Sequence, residues 1–282
     1  MKWNKIWVAF VAGGMSLGFM AAAVGDTIAL QNNNSAVTID PTSQAGVNSW
    51  TVNGVNQLTQ EWFWFRLNND STASSLDRLS LSDSGSYHGT RGYYLDYTNS
   101  STLSVGIDYL LTGGGTVGKE SNLTETISIS NISASPETIH FYAYSNFDLN
   151  GASDDTVTFP NANTTLQTNG VLYQAQTVAN PTPNEFESDY VNGPNAMLPR
   201  LKGPGPVTLL NTPAIGPAGI GPGNMTSTYE WDMTIAAGDT NIISLDKQLN
   251  VVPEPSTFAL LGAGATALLA CAWRRRRYTA GG

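Results

Sequence analysis

Leu123-Thr124-Glu125-Thr126-Ile127-Ser128-Ile129-Ser130 decides the fold class. Leu123, Ile127 and Ile129 alternate with Thr124, Thr126, Ser128 and Ser130, the two-residue period of a strand with one dry and one wet face. Glu125 is the one break in the apolar series. Asn131-Ile132-Ser133-Ala134-Ser135-Pro136 then turns the chain, and Thr138 to Tyr144 is expected to return beside it. A second pair is expected from Thr228 to Ile235, a turn at Gly238-Asp239, and a return through Ile242 to Leu249.

The same texture runs outward in both directions. Ala36 to Asp40, Val47 to Val52, Gln60 to Leu67, Arg91 to Tyr97, Leu103 to Leu111, Thr138 to Phe147 and Val171 to Val178 are rich in β-branched or aromatic residues. No segment sustains a 3.6-residue apolar period. Strands at this spacing, separated by turn residues, imply an antiparallel β-sandwich. From Asn180 to Asn224 lie nine of the fourteen prolines, with frequent glycines. Proline removes a ladder donor, so this stretch reads as a long irregular excursion over one end of the sandwich, or as a linker between two β units.

Only 12% of the 282 residues are charged, and their distribution matters more than the net −9. Between Val24 and Val252 stand seven basic and twenty-one acidic residues, a net of about −14. Such a body repels phosphate backbones, which argues against nucleic-acid partners. Cys271, the only cysteine, lies near the C-terminus, so the body has no disulfide, thiol nucleophile or cysteine metal site.

Both ends read as sorting segments. Lys2 and Lys5 precede an uncharged apolar run, Ile6 to Met20, and then Ala21, Ala22 and Ala23. That is a signal peptide over 1–23, cut by signal peptidase with Ala21 and Ala23 as the small pair. Cleavage after Gly25 and a retained anchor are the alternatives. At the other end, Val252-Pro253-Glu254-Pro255-Ser256 leads into an uncharged span over 258–273, followed by Arg274, Arg275, Arg276 and Arg277. Sixteen helical residues reach ~24 Å, short of the ~30 Å hydrocarbon core. The arginines would stay cytoplasmic, and the prolines keep the approach extended, as a protease cleft requires. An ordinary tail anchor is the alternative.

These three elements in order resemble the PEP-CTERM sorting signal of Gram-negative bacteria, here over 252–282. The resemblance implies cleavage by an exosortase after transient insertion in the inner membrane. It also implies delivery of the 24–251 body to the cell surface or an exopolysaccharide matrix. The stretch from Val47 to Leu81, with Trp50-Thr51-Val52-Asn53-Gly54-Val55 and Glu61-Trp62-Phe63-Trp64-Phe65-Arg66, is similar to an uncharacterised set of such proteins and implies no activity.

Candidate chemistry within the body is sparse. Trp62 and Trp64 fall on one face of a strand and Phe63 and Phe65 on the other, which suits a strand buried on both sides. Exposed, the two indoles would make a sugar-stacking platform. Asp148, Asn150, Asp154 and Asp155 gather oxygen ligands around Gly151, enough for a calcium site or simply for a hairpin turn. No other cofactor is implied. His88 and His140 are the only histidines; Asp83-Ser84-Gly85-Ser86-Tyr87-His88 is too local for a triad, and His140 reads as a packed or surface side chain. Glu185, Glu187 and Asp189 are close together but fall in the Pro/Gly-rich excursion. The body is therefore expected to be a structural matrix protein or a glycan-binding module, and not an enzyme.

Overall fold

The computed structural model describes residues 27–68, 70–115 and 120–251. The signal peptide with Ala21 and Ala23, the Val252 to Ser256 box, the 258–273 span and Arg274 to Arg277 lie outside the described residues.

Two sheets of nine strands each face one another. The first, sheet A, runs in the order β1 (Ile28–Asn32), β2 (Ser35–Asp40), β3 (Gly46–Val52), β5 (Leu58–Leu67), β11 (Glu137–Phe147), β17 (Met225–Ile235) and β15 (Glu185–Tyr190). Two short strands sit beside that path: β4 (Val55–Asn56) on β3, and β6 (Ser74–Ser75) on β5. Sheet B runs β16 (Ile220–Gly223), β12 (Asp155–Asn161), β13 (Thr164–Thr168), β14 (Leu172–Asn180), β18 (Thr240–Val251), β10 (Ser121–Asn131), β9 (Leu103–Gly113), β8 (Gly92–Thr98) and β7 (Ser80–Tyr87). Pairing is antiparallel except where Gly46 and Val47 of β3 meet Glu61 of β5.

The pattern that opened the sequence is strand β10, and its alternation is complete. Ser121, Leu123, Glu125, Ile127, Ile129 and Asn131 are buried, while the intervening residues are half exposed. The buried row faces sheet A. Its aromatic lining includes Phe63, Phe141 and Trp231, with ring centroids 5.7 Å apart for the first two and 6.4 Å for the second and third. Side-chain hydrogen bonds also cross the interface: the Thr165 and Tyr229 hydroxyls lie 2.7 Å apart, and Ser145 Oγ donates to Gln176 Oε1 at 3.3 Å.

Two connections differ from expectation. The chain after β10 does not fold back as a hairpin, because β10 lies in sheet B and β11 in sheet A. The turn at Gly238-Asp239 likewise carries the chain from β17 in sheet A to β18 in sheet B. The two crossings run side by side and Asn131 stitches them together. Its amide NH donates to Asp239 O at 3.0 Å, its carbonyl accepts from Gly238 N at 2.9 Å, and its Nδ2 donates to Ile235 O at 2.9 Å. A five-residue connection can close a hairpin or arch to the facing sheet, and the partners that decide it are distant in sequence.

The Pro/Gly-rich stretch is also more ordered than its composition implies. It supplies β15, β16 and a short helix, α1 (Met197–Lys202), the one α-helix among the described residues. Between β15 and β16 the chain lies across the face of sheet A turned away from sheet B, where Tyr142 Oη donates to Val207 O at 2.8 Å. It covers a face, not an end.

Candidate functional site

The outer face of sheet A carries the densest chemistry. Alternation along β5, β11 and β17 sends Glu61, Phe63, Ser145, Ala143 and Tyr229 inward, and Trp62, Trp64, Tyr142, His140, Glu230 and Asp232 to the opposite side. Trp62 and Trp64 are 0% and 1% exposed, and Trp62 Nε1 donates to Ser75 Oγ at 3.0 Å. Phe63 and Phe65 are buried as well. The indoles present no face to a sugar, so a stacking platform at these two positions has no surface to work with.

The segment over this face is held by carboxylates. Glu187, on β15, takes Arg200 Nη1 at 2.6 Å on one oxygen and Leu210 N at 2.9 Å on the other. Arg200 Nη2 also donates to Thr208 O at 2.6 Å. Glu230, on β17, accepts Leu209 N at 3.0 Å. Glu185, Glu187 and Asp189 therefore lie on a strand, not in the irregular excursion expected for them, and Asp189 accepts from the backbone NH groups of Tyr190 and Asn195.

Beside this clamp, His140 and Asp232 are register partners on β11 and β17, and Glu230 lies two residues along from Asp232. His140 Nδ1 contacts Asp232 and stands 3.5 Å from Glu230 Oε1. Side-chain exposures of 18%, 1% and 41% for His140, Glu230 and Asp232 place the trio at the rim, with Glu230 beneath. These three form the one group of His and acidic side chains among the described residues whose ligand atoms all lie within 4.8 Å. Nitrogen and oxygen donors in that disposition could hold a small divalent cation, Glu230 offering the oxygen that Leu209 leaves free. The sequence around His140 shows no partner for it, because Glu230 and Asp232 stand some 90 residues away along the chain.

Burial pushes the Glu230 carboxyl up to about 7, helped by Asp232 and Glu185, against the lowering contacts of Leu209 N and Tyr142. Burial pushes Asp155 up to about 6, against hydrogen bonds from Gln167 and Leu149. Both acids bind protons more tightly folded than unfolded, so stability falls as pH rises from about 4 towards 7. Glu230→Gln keeps an oxygen for Leu209 and removes the cost of charging a buried group. The variant is expected to be about 1–3 kcal/mol more stable than the parent at pH 8, and no more stable at pH 4. Urea melts at the two pH values check this.

The calcium reading at Asp148, Asn150, Asp154 and Asp155 meets a different use of those residues. Asp148 accepts from Thr59 Oγ1 at 2.7 Å and from Ser153 Oγ at 3.3 Å. Asn150 has φ +61° and donates its NH to Gln57 Oε1 at 2.7 Å. Asp155 is wholly buried and takes Leu149 N at 3.1 Å and Gln167 Nε2 at 2.8 Å, whereas Asp154 is exposed. Asp148 and Asp155 are engaged separately by neighbouring donors, and among the described residues Asp148, Asp154 and Asp155 do not bring ligand atoms within 4.8 Å of one another.

The PEP-CTERM protein-sorting motif matches residues 251–277. The chain carries that motif. Strand β18 reaches Val251, the residue at which the match to the motif begins. The motif implies export, membrane-anchored sorting in a Gram-negative bacterium, and processing by an exosortase. No curated protein matches the chain in sequence. Among solved structures, a bacterial glucoamylase complexed with acarbose is 11% identical with TM-score 0.55, over 85% of this chain and 36% of that one. A GalM/aldose epimerase homologue from C. elegans is 7% identical with TM-score 0.51, over 81% of this chain and 100% of that one. The PEP-CTERM chain thus spans about a third of the glucoamylase and shares with both a fold alone.

Proposed function

We propose that this is a non-catalytic structural protein of the cell surface or exopolysaccharide matrix, exported as a β-sandwich and cut free of its C-terminal tail. The sorting motif, whose match begins at Val251 of β18, carries the reading. The outer face of sheet A supports it. That face is closed by the chain's own 191–219 segment through Arg200, Val207, Leu209 and Leu210, which leaves its aromatic centre to structural packing.

Mass spectrometry of the mature protein from its native host tests this. The expected C-terminus falls between 252 and 257, in the surface or extracellular fraction. Recovery of a chain ending at Gly282, or confined to the cytosol, overturns the proposal.

Glycan binding is the second reading. The glucoamylase and epimerase relatives in fold act on sugars by their names, and His140, Glu230 and Asp232 form a polar patch with an accessible rim. A glycan array probed with the purified protein separates the two readings. Binding that Asp232→Ala abolishes selects the second; an array without signal selects the first.

A further inference from the structure

Three charged side chains meet in the dry space between the sheets. Glu61 comes from β5 in sheet A, and Glu125 and Lys247 come from β10 and β18 in sheet B; all three are completely buried. Lys247 Nζ contacts Glu61 Oε1 and lies 2.5 Å from Glu125 Oε2. The other carboxylate oxygens, Glu61 Oε2 and Glu125 Oε1, have no hydrogen-bond partner, and neither does the buried Tyr109 hydroxyl.

Two carboxylates and one ammonium would leave a net negative charge in a site without solvent, which is strongly unfavourable. One proton removes it. The proton belongs on Glu125, whose carboxyl is held well above the ordinary range by burial and by the charge of Glu61, more than Lys247 lowers it. The site is then neutral overall and holds an amine, a carboxylate and a carboxylic acid in mutual contact.

We propose that Lys247 and Glu61 condense into an isopeptide bond that joins sheet A to sheet B, with Glu125 relaying protons. The Lys247 ammonium first gives one proton to Glu61 across their contact, leaving a free amine and a carboxylic acid. Nζ attacks Glu61 Cδ, forming the N–C bond. Glu125 donates its proton to the departing hydroxyl as the C–O bond breaks, and recovers one from the nitrogen. One water leaves, and no oxidant or other reactant is needed. Contact geometry fixed by three strands replaces a bimolecular encounter, worth effective concentrations on the order of 10⁵ M or more. The absence of bulk water removes the usual driving force for hydrolysis. The product is an uncharged amide in an apolar core. With Cys271 outside the body, a disulfide is not open to the sandwich.

The full-length chain, denatured and digested with trypsin, tests this. Trypsin does not cut at an acylated lysine. The expected product joins the peptide ending at Arg66 to the peptide starting at Gly203, uncut at Lys247 and lighter than the two parts by one water, ~18 Da. A time course on freshly refolded protein gives the rate. Glu125→Gln preserves shape and removes the acid, and is expected to slow cross-linking at least tenfold while the near-ultraviolet circular dichroism stays native. Cross-linking at the parent rate in that variant would exclude Glu125 as the relay. Folded parent protein that yields both peptides free, cut normally after Lys247, overturns the bond itself. That digest stands whether or not the variant folds.

Discussion

Lys247→Ala is expected to leave no folded protein at neutral pH. The substitution strands Glu61 and Glu125, both completely buried, across a cavity the size of the lost side chain. Removing one partner of a buried ion pair costs about 3–5 kcal/mol, because the remaining charge keeps its desolvation penalty and loses its compensation. Here the Glu61 carboxylate loses its cation beside the protonated Glu125, and the cavity adds a further cost of about 1–2 kcal/mol. The total of about 4–7 kcal/mol matches the lower part of the ~5–15 kcal/mol that holds a typical domain together. The loss has a pH signature. Once Lys247 is gone, Glu125 keeps the raising effects of burial and of the Glu61 charge and loses the cation that opposes them, so its carboxyl binds protons more readily folded than unfolded and the variant should regain structure as pH falls towards 5. Circular dichroism at pH 5 and 7.5 measures this. A variant within ~1 kcal/mol of the parent at pH 7.5 would mean that the three groups are not in contact in a dry core.

Gly46→Ala carries the second large effect, for a reason of backbone geometry. Gly46 opens β3 with φ +54° at the one place where β3 and β5 run parallel. A Cβ there would lie 2.1 Å from the Glu61 carbonyl oxygen and 2.3 Å from the Trp62 indole. The first of these is main chain in a central strand and cannot swing aside. Left-handed backbone costs an L-residue about 1–2 kcal/mol, and forced overpacking about 1–3 more. The expected destabilisation is therefore about 3–4 kcal/mol. Gly54→Ala is the control: Gly54 also has positive φ, at +79°, but a Cβ there meets nothing within 4 Å, and only about 1 kcal/mol should be lost. Equal losses in urea melts of the two variants would show that the contact with β5 is not tight.

The two-layer β architecture was legible because a half-buried strand writes its period directly into the chain, as Leu123 to Ser130 does. The sheet to which each strand belongs was not legible. The connections after Asn131 and after Ile235 have hairpin composition, yet both arch between layers, a choice made by packing partners far along the chain. Edge strands were hard to see for another reason: β7, Ser80–Tyr87, is polar and largely exposed, so it has no apolar row to display. The buried triad left a trace. Glu125 breaks the apolar row of β10, and Lys247 breaks the row Ile243, Leu245 and Leu249 in β18. Each break alone looks like an irregularity. Only the structure brings them together and adds Glu61 from the opposite sheet.

The junction at Val251 also determines how the protein would bear traction from its C-terminal side. Tension there runs along the axis of β18, which is laced to β10 from Ser121↔Leu249 to Ser130↔Thr240 and to β14 from Leu172↔Val251 to Asn180↔Ser244. Drawing out a strand flanked on both edges requires the two ladders to shear as a set, whereas an edge strand could unzip one rung at a time. Its terminal attachment is thus among the hardest points of the molecule from which to start unravelling it.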